Sequence, residues 1–154
     1  MSVKVDFHSG MPDKAAYCCR LLRKSQATRS CVAVCGPSDL LDRLDVALWT
    51  FDALSFLPHV RLRAGVSPQP RLARTPVWLL DDAWQAPHRD VLVNLGPNLV
   101  PGWEGFGRVV EVVQSDDADR LAGRARWRQY GQAGVAALEH LAAAPVTTIA
   151  AIEG

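Results

Sequence analysis

Apolar and polar positions change rhythm along the chain, and the changes mark its elements. Val3, Val5 and Phe7 alternate with polar neighbours, which predicts a half-buried strand. From about Pro12 to Lys24 the apolar positions Ala15, Cys18, Cys19 and Leu22 recur at helical spacing. The run Cys31–Cys35 is short, uniformly apolar and β-branched, which suits a strand covered on both faces. Gly36, Pro37 and Ser38 then supply a turn and a cap for a helix whose stripe is Leu41, Leu44, Ala47 and Leu48 and whose end falls near Trp49.

Arg61 to Thr75 holds two prolines, one glycine and four arginines without a period, and reads as an exposed loop. Val77–Leu80, Val91–Leu95 and Arg108–Val113 read as further strands, the loop from Gly96 to Gly107 separating the last two. Asp116 to Tyr130 reads as a long helix whose early aspartates face the positive end of its dipole. On it, Ala118, Leu121, Ala122 and Ala125 share one face, expected to pack on the sheet, while Arg120, Arg124 and Trp127 share another, expected in solvent. Strands alternating with helices, several uniformly apolar, predict a single three-layer α/β domain with a largely parallel central sheet. That domain is expected over residues 1–143, with 144–154 a loosely attached tail.

Composition narrows the function. At 154 residues, one core burying roughly 70% of the unfolded surface is expected. The net charge of +1 disfavours direct binding of nucleic acid, whose affinity comes mostly from neutralised phosphates. No window reaches the roughly 20 apolar residues of a membrane span, and the start lacks a signal-peptide layout, so a cytoplasmic protein is expected. Cys18, Cys19, Cys31 and Cys35 lack paired metal-ligand spacing and are expected as buried thiols.

A sheet of this kind often holds nucleotides at its carboxyl edge, yet neither glycine-rich phosphate motif is present. His88-Arg89-Asp90 lacks the asparagine spacing of a kinase loop, with Asn94 one residue too early. Asp81 and Asp82 follow a strand, as metal-binding carboxylates can, but without an evident third ligand. His8, His59, His88 and His140 are scattered. No cofactor or metal is expected. Two clusters are open to two readings each: Arg120, Arg124 and Trp127 form either a solvated basic face with the tryptophan packed under the Gly96–Gly107 loop or a site for an acidic peptide with an aromatic end, and the large apolar groups of Trp49 to His59 either cap the core or form a partner surface.

Leu41 to His59 is very similar to the long motif of the chi subunit of bacterial DNA polymerase III: a leucine-rich helix, A-L-W, then S-F-x-P-H. Arg89 to Leu95 resembles that family's R-D-[IV]-L-[IV] strand, and Val109–Val113 with the following helix resembles its last strand and helix. The resemblance implies a nucleotide-binding-like topology without a nucleotide site and a non-catalytic accessory subunit. It implies two partners, the psi subunit of the clamp loader and the acidic, Phe-terminated tail of single-stranded DNA-binding protein. By position, Trp49, Phe56 and Pro58 match the psi-contacting segment, and Val113, Arg120, Arg124 and Trp127 match the tail-binding pocket. Trp127 stands where the family commonly has tyrosine, and the Arg61–Thr75 loop has no clear counterpart. The alternative from another class is a small nucleotide- or metal-dependent enzyme on the same sheet.

Overall fold

The computed structural model describes residues 2–50 and 56–143, so the tail expected over 144–154 lies outside the described residues. Seven strands form one sheet: β1 (Lys4–Met11), β2 (Val32–Cys35), β3 (His59–Leu62), β4 (Val77–Leu80), β5 (Val91–Asn94), β6 (Arg108–Gln114) and β7 (Ala137–Ala142). Their spatial order is β3-β4-β2-β5-β6-β1-β7, and every pair is parallel. The α/β class and the parallel sheet are those read from the sequence.

Parity along each strand decides which layer a side chain joins. Val32, Val34, Val77, Leu79, Val110 and Val112 face helices α1 (Lys14–Ala27) and α2 (Ser38–Thr50). Ala33, Cys35, Trp78, Leu80, Val109 and Val113 face the other way, toward helix α3 (Asp117–Gln132) and the loops beside it. This double covering is why the central strands lack alternation. α1 starts at Asp13, whose carboxylate accepts from the amides of Ala15 and Ala16. α3 starts at Asp116, whose carboxylate accepts from the amide of Asp119.

The segment read as an exposed loop contributes more than expected. Its first two residues complete β3, and Arg61 is nearly buried, with Nε donating to Asp42 at 2.9 Å and Nη2 to Asp81 at 2.9 Å. Leu72, in a 3₁₀ turn over Pro70–Leu72, packs with buried Trp78 on the α3 side. Buried Gln85 donates to the carbonyls of Arg63 (2.7 Å) and Val66 (2.6 Å). The loop thus stands where a covering helix would otherwise lie over β2, β4 and β3. Asp81 and Asp82 are likewise engaged: Asp81 accepts from Arg61 and from the Ala64 amide, and Asp82 forms a capping box with Gln85. Among the described residues no cluster of three or more His, Cys, Asp or Glu has metal-binding geometry, and no helix is long and apolar enough to cross a membrane.

All four thiols are free. Cys18, Cys19 and Cys35 are buried, whereas Cys31 is only half-buried, at the mouth of β2. Burial pushes the Cys35 thiol up to about 12, so it stays protonated and behaves as a small apolar group.

Candidate functional site

The inward face of α3 is not the one its apolar spacing suggests. Ala118, Leu121 and Ala125 are exposed, Leu121 by 66%, and the helix buries Gly123, Arg126 and Tyr130 instead. Two contacts impose that rotation. A Cβ at Gly123 would stand 2.8 Å from Val113, so the missing side chain lets the helix lie directly on β6. Arg126 meanwhile reaches a carboxylate inside the sheet layer: its Nε donates to Glu111 at 2.8 Å and its Nη1 to the Pro97 carbonyl at 2.9 Å. Glu111 also accepts from Tyr130 Oη at 2.6 Å and from Asn94 Nδ2 at 3.0 Å. Burial pushes the Glu111 carboxyl above the usual carboxylate range, and Arg126, Tyr130 and Asn94 oppose that rise by bonding the charged form.

With Gly123, Arg126 and Tyr130 inward, Arg120, Arg124 and Trp127 come to one edge of the helix, together with Val113 of β6. They line a cavity of about 310 Å³, at the small end of ligand clefts. Val113, Phe7 and Trp127 form its apolar wall, and the Phe7 and Trp127 rings meet edge to face with centroids 5.2 Å apart. Trp127 keeps 37% of its surface exposed, so part of its ring is free for a ligand. Arg120 and Arg124 stand at the rim. Val113, Arg120, Arg124 and Trp127 are the lining residues that the sequence indicates; Gly123 of α3 and Phe7, Ser9 and His140 of the sheet are not. Phe7 was legible only as a core strand residue. His140 could not be placed without β7, which pairs with β1 so that His140 lies opposite Phe7.

The second cluster lies on the other layer. Val46 and Trp49 occupy one face of α2 three residues apart and are 63% and 56% exposed. Phe56, 62% exposed, stacks against Trp49 with ring centroids 5.4 Å apart, and His59 backs the indole at 4.8 Å. Pro58 is half-buried beside them, and Gln26 of α1 donates to the Phe56 carbonyl. Residues 51–55 of this segment lie outside the described residues. The two clusters are on opposite faces of the sheet and share no residue.

At the carboxyl edge of the sheet, where this topology commonly holds a nucleotide, a cleft of about 310 Å³ is lined by Lys14, Arg43, Pro97, Gln114 and Asp119, with Gly36 packed closely beside it. A Cβ on Gly36 would come within 3.0 Å of Leu95, and Lys14 Nζ is engaged by the Leu95 carbonyl at 2.9 Å and by Asp119 at 2.9 Å.

The family model described as DNA polymerase III chi subunit, HolC, matches residues 2–137. A DNA polymerase III subunit chi from Pseudomonas aeruginosa is 32% identical over 126 residues, which is 79% of this chain and 82% of that protein. Among solved structures, domain 2 of the Mss116p DEAD-box helicase, bound to an RNA duplex, is similar with a TM-score of 0.58 and 10% identity, over 97% of this chain and 66% of that one. That last likeness is one of fold alone.

Proposed function

The chain belongs to the chi-subunit family of DNA polymerase III, accessory subunits of the replicative polymerase, and from that premise we propose that it is a two-faced adaptor. One face takes the acidic, Phe-terminated C-terminal tail of single-stranded DNA-binding protein, and the other takes the psi subunit of the clamp loader. The observation that carries this reading is the cavity beside α3. It combines an apolar slot for one ring with two exposed guanidiniums at the rim, which is the chemistry an acidic peptide with a terminal aromatic demands.

The psi site on this reading is Trp49, Phe56 and Pro58. An aromatic pair in mutual contact, each ring more than half exposed, suits a partner surface. Because the two sites lie on opposite faces, both partners can be held at once, which is what a bridge between clamp loader and coated template requires. The protein does this by binding alone. At the carboxyl edge Lys14 is already held by the Leu95 carbonyl and by Asp119, and neither glycine-rich phosphate motif is present, so titration with ATP and magnesium should give no heat of binding.

The test is direct: a labelled peptide of several aspartates ending in phenylalanine should bind, and the same peptide ending in alanine should not. Phe56→Ala should weaken pairing with psi by about 2 kcal/mol, roughly 30-fold, with the melting temperature unchanged, since an exposed aromatic anchor contributes to the complex and little to the core. Surface plasmon resonance against immobilised psi, with calorimetry of the variant, reads both. A lowered melting temperature with unaltered psi affinity would return Phe56 to the core.

A further inference from the structure

Ser9 and His140 form the sheet-side wall of the cavity and belong to neither arginine nor aromatic chemistry. Ser9 Oγ and His140 Nε2 are 2.5 Å apart, joining β1 to the edge strand β7. His140 lies past residue 137, where the family match stops, and is exposed toward the cavity. We infer that the Ser9–His140 pair is a proton-gated recognition element, which takes the carboxylate adjoining the bound ring from the sheet side while Arg120 and Arg124 face the peptide from the helix side. This rests on the tail-binding reading above and adds to it a regulation.

The chemistry follows from one hydrogen bond. With a neutral imidazole whose Nε2 is unprotonated, the Ser9 hydroxyl donates its only hydrogen to His140 and has none for a ligand. When the imidazole takes up a proton from solvent, Nε2–H donates to Ser9 Oγ, and the hydroxyl hydrogen turns free to donate to a carboxylate. One protonation therefore adds a positive charge and releases a donor at the same wall. Histidine is the side chain that makes this change between about pH 5 and 8.

The surroundings set the sign. From α3, Arg120 and Arg124 line the same cavity; from β1, Phe7 and Ser9 face it, and from β6, Val113. Lys4, Asp6, His8 and Glu139 project to the opposite side of the sheet, where Lys4 pairs with Glu139 at 4.0 Å and His8 with Tyr17. An arriving carboxylate is attracted by the added positive charge and accepts the released hydroxyl hydrogen, so binding favours the protonated pair, and by linkage affinity rises as pH falls. Aspartates and a terminal carboxyl ionise below about pH 4, so the peptide keeps its charge across the range.

The experiment is fluorescence anisotropy of the labelled acidic, Phe-terminated peptide from pH 5.5 to 8.5 with the whole protein. Wild type should bind about tenfold more tightly at the acid end. His140→Gln can still bond Ser9 but cannot become cationic, and should hold the weaker, high-pH affinity throughout; His8→Gln should keep the wild-type profile. A peptide with a C-terminal carboxamide should lose the pH dependence with wild type. A His140→Gln profile that matches wild type, a pH-independent wild type, or a carboxamide peptide that keeps the dependence overturns the pair's role, and Arg124→Ala then still reports on the cavity. Should Arg124→Ala itself bind the peptide normally, the tail-binding reading falls, and this inference with it.

Discussion

Arg126→Ala should destabilise the protein by about 3–5 kcal/mol, the cost of stranding a buried charge by removing its partner. Arg126 is 1% exposed and Glu111 not at all, so water cannot replace the lost contact. Tyr130 and Asn94 would still bond the carboxylate, but neither supplies charge. Glu111 already sits above the usual carboxylate range because burial outweighs its partners, and without the guanidinium it moves higher still. The sign of the pH dependence follows. A carboxyl whose folded-state value is raised costs stability as pH climbs through its unfolded value of about 4.3 toward the folded one. The deficit of Arg126→Ala should therefore be largest near neutrality and shrink on acidification, as Glu111 takes a proton and no longer needs a counter-ion. Urea denaturation of the variant and wild type between pH 5 and 8 reads this. Replacing both partners with apolar groups, Glu111→Leu with Arg126→Met, should recover only part of the loss, because the buried Tyr130 hydroxyl then lacks its acceptor. A deficit that stays constant with pH would mean that packing, not the stranded charge, is what Arg126 supplies.

Arg124→Ala should weaken capture of the acidic tail by roughly 10- to 150-fold, the equivalent of about 1.5–3 kcal/mol for a charge-assisted contact, and leave psi pairing unaltered. The side chain is exposed at the rim of the cavity, one turn from Arg120 and close to Trp127, so a carboxylate can meet its fork while the ring is held. Arg124→Lys should restore only part of the affinity, because an ammonium cannot bond a carboxylate in parallel. Binding should also fall with added salt, since exposed pairs are screened over about 8 Å at physiological ionic strength. Anisotropy of the labelled peptide across a salt series separates the contributions: salt-independent binding would assign the holding to Phe7, Val113 and Trp127.

Much of the fold was legible because its signals are strong. β2 and β4 are uninterrupted apolar runs and β6 sets four valines about one glutamate, all covered on both sides, and α2 carries a complete leucine stripe after a turn and a cap. β3 and β7 were not legible, and for a shared reason. Each is a short edge strand, β3 half-buried and β7 mostly exposed, so neither shows an apolar run or clean alternation. The composition of β7, Ala-Leu-Glu-His-Leu-Ala, even favours a helix, and pairing with β1 overrides that preference. α3 shows a different failure. Its docking is decided by a glycine and a buried ion pair, which an apolar count ranks last, and Leu121 is left outside. The single glutamate in the otherwise apolar Val109–Val113 run was the readable clue. Arg120, Arg124 and Trp127 were nonetheless grouped correctly, because i, i+4 and i+7 stay adjacent whichever face turns inward.

The place of β1 in the sheet bears on how the chain is made. Its hydrogen-bonding neighbours are β6 and β7, so Lys4 pairs with Arg108 on one side and with Ala137 on the other. β6 and β7 are made after β2 to β5, so β1 is among the last of these strands to acquire its partners although it is made before them. Closing such long loops before any contact rewards them makes the search slow. During it, Val5 and Phe7 stay uncovered while β2, β4 and β5 can already associate. Translation of β6, α3 and β7 is thus the step that covers Val5 and Phe7 and ends their exposure to aggregation and chaperone capture.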